Sequence, residues 1–123
     1  MKKDNIAVVT GGTRGIGRAI SLQLAKAGYS VLALYARDRN SAEALSLEAK
    51  TLGLEIECLR GDLTHPEKFK DLIAQIKERS DAVKVIVHSA ASGVHRSVPE
   101  LSVKHLSWTF EINVFAIHHL IQE

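Results

Sequence analysis

A chain of 123 residues with 46% apolar and 24% charged residues has the balance of a globular domain with one buried core, not of a disordered or fibrous chain. A formal charge of +2, with acids and bases mixed along the chain, leaves no basic patch of the kind that marks a nucleic-acid partner. One cysteine, Cys58, rules out an internal disulfide, and no apolar run approaches the roughly 20 residues of a membrane span, so a cytoplasmic protein is expected.

The apolar run Ile6-Ala7-Val8-Val9, halted by Gly11-Gly12, predicts a strand buried on both faces. Ile16, Ala19, Ile20, Leu24 and Ala27 then recur at helical spacing, with Gly28 placed as a C-terminal cap. Val31 to Tyr35 reads as a second strand, and Ser41 to Leu52 as a second helix with Ser41 as its N-cap and Gly53 just past its end. Glu55 to Leu59 alternates as a third strand. Thr64-His65-Pro66-Glu67 has capping-box spacing with proline in the first turn, opening a helix that runs to about Arg79. Val83 to Val87 forms a fourth strand, Ser89 to Leu101 a loop holding Gly93 and Pro99, and Ser102 to Glu123 a long helix. Strands alternating with helices over short connections predict a parallel, doubly wound α/β sheet of the Rossmann type, a single nucleotide-binding domain over residues 1–123.

The segment Thr10-Gly11-Gly12-Thr13-Arg14-Gly15-Ile16-Gly17 lies where the first strand hands over to the first helix. Glycines there allow a tight turn, let a phosphate approach the backbone and let the helix pack closely. The unpaired N–H groups and positive dipole end of the helix then favour an anion. Thr10, Gly11, Thr13, Arg14, Gly15, Ile16 and Gly17 are the candidate diphosphate-binding residues.

The spacing T-G-x-x-x-G-x-G resembles that of the short-chain dehydrogenase/reductase family, and the resemblance extends along the chain. Asp62-Leu63 matches the family's acidic residue that contacts the adenine. Asn113, in Glu111-Ile112-Asn113-Val114, matches the asparagine that kinks a long helix and belongs to the catalytic tetrad. The resemblance implies an enzyme that passes a hydride to or from a nicotinamide nucleotide, commonly as a tetramer associating through that helix.

NAD-preferring enzymes carry an acid at the end of the second strand to bind the ribose 2′-hydroxyl. Here that position is Tyr35, followed by Arg37, while the turn supplies Arg14. Arginine matches phosphate oxygens, so NADP(H) is expected to bind at least tenfold more tightly than NAD(H), ~1.4 kcal/mol. The competing reading makes Arg37 and Arg39 solvated charges beside Asp38.

Where the family has Asn-Asn-Ala-Gly after its fourth strand, this chain has His88-Ser89-Ala90-Ala91. Ser89, Ala90 and Ala91 are expected to lie beside the nicotinamide ribose, and His88 to be a strand-end histidine bonded to backbone or water rather than a catalytic group. From Ala90 to Asn113 the chain resembles the enoyl-[acyl-carrier-protein] reductase branch of the family, with the 3-oxoacyl-[acyl-carrier-protein] reductases as the alternative. Either implies an acyl thioester substrate, carried on acyl carrier protein in fatty-acid synthesis. No metal site is expected, since the adjacent His118 and His119 point to different sides of a helix. Cys58 is expected to be a packing residue, and Trp108, Phe110 and Phe115 to be packing or subunit-interface groups.

The family's reaction uses a tyrosine acid with a nearby lysine. The only tyrosines here are Tyr29 and Tyr35, neither in that context, so the pair is expected beyond position 123 and the 123-residue chain alone is expected to be inactive. A non-catalytic NADP-binding module is the reading if the chain ends there. The Val85-Ile86-Val87 edge and the outer face of the last helix are expected to favour self-association.

Overall fold

A computed structural model describes residues 2–123. Four strands, β1 (Ile6–Thr10), β2 (Ser30–Tyr35), β3 (Ile56–Arg60) and β4 (Val83–His88), form one sheet in the order β3-β2-β1-β4. Every neighbouring pair is parallel, with Val9 opposite Ala33 and Thr10 opposite His88. Helices α1 (Gly15–Lys26), α2 (Arg39–Leu52) and α3 (Pro66–Arg79) connect successive strands. After β4 come a loop with a short 3-10 turn at Val98–Glu100, α4 (Val103–Phe110), a π-helical segment over Glu111–Phe115, and α5 (Ala116–Gln122).

The alternation of side chains along β1 and β2 explains the two cores. Ile6, Val8, Leu32 and Leu34 face α3 and α5 and pack with Phe69, Leu72, Ile76, Ala116 and Leu120. Ala7, Val9 and Val31 face the other way and pack with Ala25, Ile20 and Leu24 of α1. Burial on both faces is why β1 reads as an unbroken apolar run. Because α1 and α3 lie on opposite faces, the chain reverses its direction of travel across the sheet between β1 and β4. In open α/β sheets this switch point is where ligands sit.

Two helix starts differ from the sequence expectation. The N-cap of α2 is Asp38, not Ser41: Asp38 accepts the Ser41 amide at 3.0 Å and the Ser41 hydroxyl at 2.7 Å, so Ser41 is the residue capped. The capping box expected at Thr64 does not form. Thr64 instead donates its amide (2.8 Å) and hydroxyl to Asp62, and the N-cap position is His65, which makes no side-chain capping bond. In both places an aspartate upstream captured the serine or threonine that the pattern had assigned to the helix.

At the opposite end of the sheet, Arg79 grips Glu57 with two bonds of 2.7 and 2.5 Å. This fork on Glu57 holds its carboxyl below the usual carboxylate range, outweighing partial burial. A depressed carboxylate adds stability above its unfolded value of about 4.3 and loses that stability as the pH falls through the lower folded value. Acid denaturation followed by circular dichroism therefore checks the pair: Glu57→Gln is expected to lose less stability than the parent between pH ~5 and pH ~3.

Candidate functional site

The C-terminal ends of all four strands bring the predicted residues to one rim. Thr10 closes β1, fully buried, and Gly12 donates its amide to the Leu34 carbonyl at 3.1 Å, which ties the following turn to β2. The first bond of the α1 ladder runs from the Arg18 amide to the Arg14 carbonyl, so the amides of Gly15, Ile16 and Gly17 precede it. Arg14, the N-cap, makes no side-chain capping bond, and the first turn holds no acid. An uncapped helix start with no local carboxylate is suited to an anion from outside the chain.

Space at this turn is distributed by two glycines in different ways. A Cβ at Gly17 would stand 1.9 Å from the carbonyl oxygen of Gly11, so the helix can seat against the turn only without a side chain there. Gly15 has φ +57°, the left-handed region that favours glycine, and a Cβ on it would meet nothing within 4 Å. Its outer side is open. Ile16 is 77% exposed and projects away, while Thr13 is buried beneath the turn. The side of the turn next to Gly15 therefore has room for a group from outside the chain.

At the end of β2, Tyr35 is half-buried and Arg37 is exposed. Arg14 reaches across to this turn, its guanidinium 3.6 Å from the Asp38 carboxylate. Asp38 is held below its ordinary value by its bonds from Ser41, which outweigh the effect of burial, with a smaller contribution from Arg14. Both of its oxygens are thus engaged at the start of α2. Arg39 pairs with Glu43 on its own helix and takes no part in the rim. After β3, Asp62 lies at the rim. Burial raises its pKa, but bonds from Thr64 and the Lys68 cation at 3.5 Å outweigh that and keep the carboxyl ionised more readily than usual. Leu63 turns into the core beside α3.

The loop after β4 is fastened to β1. Ser89 donates its amide to the Thr10 carbonyl at 3.2 Å, and Ala90 donates its amide to the Thr10 hydroxyl at 3.1 Å. Ala91 is exposed next to them. Asn113 sits in the π segment, a local irregularity of the helix at the place where the resemblance implies a kink. Its side-chain amide donates to the Ser92 carbonyl at 2.6 Å and to the Thr109 carbonyl at 2.8 Å, and its oxygen accepts from the Ser92 amide at 3.4 Å. Sequence reasoning missed Ser92, whose backbone is clasped on both sides. No pattern marks it, because Ser92 takes part only through its main-chain atoms. His88 bonds to backbone as expected, with one ring nitrogen 3.0 Å from the Ile112 carbonyl, but its other ring nitrogen meets a side chain, the Thr10 hydroxyl, at 2.7 Å.

Cys58 is half-buried on β3. Burial pushes its thiol up, which is the opposite of what a nucleophile needs. His119 packs its ring edge-on against Phe69, and among the described residues no cluster of three His, Cys, Asp or Glu side chains is placed to hold a metal ion. Nor is any helix there long and apolar enough to cross a membrane.

With this geometry, a family model described as short chain dehydrogenase matches residues 5–123. The chain belongs to the short-chain dehydrogenase family. Among short-chain dehydrogenases, 3-oxoacyl-[acyl-carrier-protein] reductase FabG of Staphylococcus epidermidis is 32% identical over 95% of this chain and 48% of its own length. A blue fluorescent protein from a metagenomic library, solved in complex with NADPH, superposes with a TM-score of 0.87 at 30% identity, covering 98% of this chain and 49% of that one. A 3-oxoacyl-(acyl-carrier-protein) reductase from Agrobacterium tumefaciens, solved with NADP bound, gives 0.84 at 27% identity, covering 98% of this chain and 46% of that one. The chain spans about half the length of the curated short-chain dehydrogenases it matches.

Proposed function

We propose that residues 1–123 are the NADP(H)-binding part of an oxidoreductase that reduces an acyl thioester carried on acyl carrier protein. The observation that carries this reading is the open, uncapped turn from Thr10 to Gly17, with Arg14 at its edge reaching the end of β2. The amides of Gly15, Ile16 and Gly17 hold the diphosphate, and Arg14 and Arg37 meet the 2′-phosphate. Asp62 and Leu63 flank the adenine, and Ser89, Ala90 and Ala91 line the side toward the nicotinamide ribose. The bound nucleotide supplies a hydride. Asn113 holds the Ser92 loop in place while the reacting oxygen is protonated by the tyrosine that, with its lysine, belongs to the half of the family's length this chain does not span.

Between the two reductions weighed, 3-oxoacyl reduction is the better supported. One curated relative and one solved structure named above carry that activity in their names, whereas enoyl reduction rests on the stretch from Ala90 to Asn113 alone. The apolar residues Phe110 of α4 and Val114 and Phe115 of the π segment remain exposed and favour a homo-oligomer. Oxidation of NADPH by the intact protein, followed by absorbance, tests the reading. Turnover is expected with an acetoacetyl thioester and little with a crotonyl thioester. The reverse ranking restores the enoyl reading, and NADPH binding without turnover of either marks a non-catalytic module.

A further inference from the structure

The residue standing at position 88 in place of the family's asparagine is longer, with two ring nitrogens on different sides. His88 ends β4 opposite Thr10, and its two ring nitrogens face different partners. The Ile112 carbonyl can only accept, so Nε2, 3.0 Å away, carries the ring proton. In the neutral ring Nδ1 is then an acceptor, and the Thr10 hydroxyl, 2.7 Å away, donates to it. The same hydroxyl oxygen accepts the Ala90 amide at 3.1 Å. The result is one directed chain of bonds from the Ala90 amide through Thr10 and His88 to Ile112. Ile112 is the residue immediately before Asn113, in the π segment.

We infer that His88 is a positioning residue that couples the nucleotide turn to Asn113, through a bond to the π segment that an asparagine at position 88 is too short to make. Thr10 is the shared joint. It begins the glycine-rich turn and fastens the loop after β4, and through His88 it also sets the height of the helix carrying Asn113. Asn113 in turn clasps Ser92 in that same loop, so the bonds close a ring from β1 through β4 and the helix back to the loop. A closed ring resists displacement at any one member, because moving one bond strains the others. The coupling to nucleotide rests on the reading proposed above, whereas the ring itself does not.

Two shortened replacements separate the halves of the device. The amide of an asparagine falls near the position of ring Nδ1, and that of a glutamine near Nε2. His88→Asn therefore keeps the Thr10 bond and loses Ile112, while His88→Gln does the opposite. Without nucleotide, hydrogen exchange by NMR is expected to quicken about tenfold at the Asn113 side-chain amide in His88→Asn, and at the Ala90 amide in His88→Gln. The unmodified ring is expected to give the nitrogen shifts of the Nε2–H tautomer, a signature that needs no variant to fold. Adding NADPH is expected to slow Asn113 exchange in the parent but in neither variant, because each breaks the chain at one of its two links. An Nδ1–H tautomer, or Asn113 exchange unchanged in His88→Asn, overturns the inference. If NADPH fails to bind the parent, the functional reading falls, and the nucleotide-free exchange pattern still decides the role of His88.

Discussion

Gly17→Ala is expected to lower the melting temperature by about 10 °C and to abolish detectable NADPH binding. The added methyl would lie 1.9 Å from the Gly11 carbonyl oxygen, a backbone atom that cannot swing aside as a flexible side chain would. Relief requires α1 to withdraw from the turn, and α1 is pinned from behind. Ser21 donates to the Gly12 carbonyl at 2.9 Å, Ala25 is buried against the sheet, and Arg18 pairs with Glu48 of α2. Overpacking of this kind costs about 1–3 kcal/mol, and the displaced helix carries its free amides out of line with the anion. Gly15→Ala separates the two consequences. Nothing lies within 4 Å of the new methyl, so only the left-handed backbone resists it, at about 1 kcal/mol. That methyl nevertheless occupies the space left for the phosphate, and affinity is expected to fall at least as far as in Gly17→Ala. Thermal melts with nucleotide titrations check both variants. Normal NADPH binding by Gly15→Ala would remove the cradle from the account.

Arg14→Ala is expected to weaken NADPH binding by tenfold to a hundredfold, about 1.5–3 kcal/mol for a charge-assisted bond to phosphate, and to leave NADH nearly unchanged. The guanidinium is 75% exposed and its ion pair with Asp38 is long, at 3.6 Å, so that pair contributes little and does not prevent the arginine from turning to a ligand. Asp38 places a negative charge beside the same phosphate. Asp38→Asn keeps a residue that caps α2 equally well, removes that charge, and is expected to tighten NADPH a few-fold. Fluorescence titration of both nucleotides against the two variants reads the result. An Arg14→Ala loss shared equally by NADPH and NADH would mean that the arginine holds the diphosphate and not the 2′-phosphate.

The order of elements was legible because burial on both faces leaves β1 and β2 as plain apolar runs, and because the helices between them carry clear spacing. The glycine turn was legible for a related reason: close backbone contacts at Gly11 and Gly17 and a left-handed φ at Gly15 favour glycine, so the requirement is written in residue type. What escaped the sequence was competition among short polar side chains. Asp38 and Asp62 each captured the hydroxyl that the pattern had given to a helix start, and at that scale the outcome turns on geometry of a few tenths of an ångström. Ser92 escaped because Asn113 clasps its main chain, and His88 was legible only as a departure, with its second partner 24 residues away in sequence.

Isothermal titration of the protein with NADPH and NADH in turn tests the central claim most directly. NADPH is expected to bind at least about tenfold more tightly than NADH. Equal dissociation constants, or no heat from either nucleotide at about 1 mM, would contradict it.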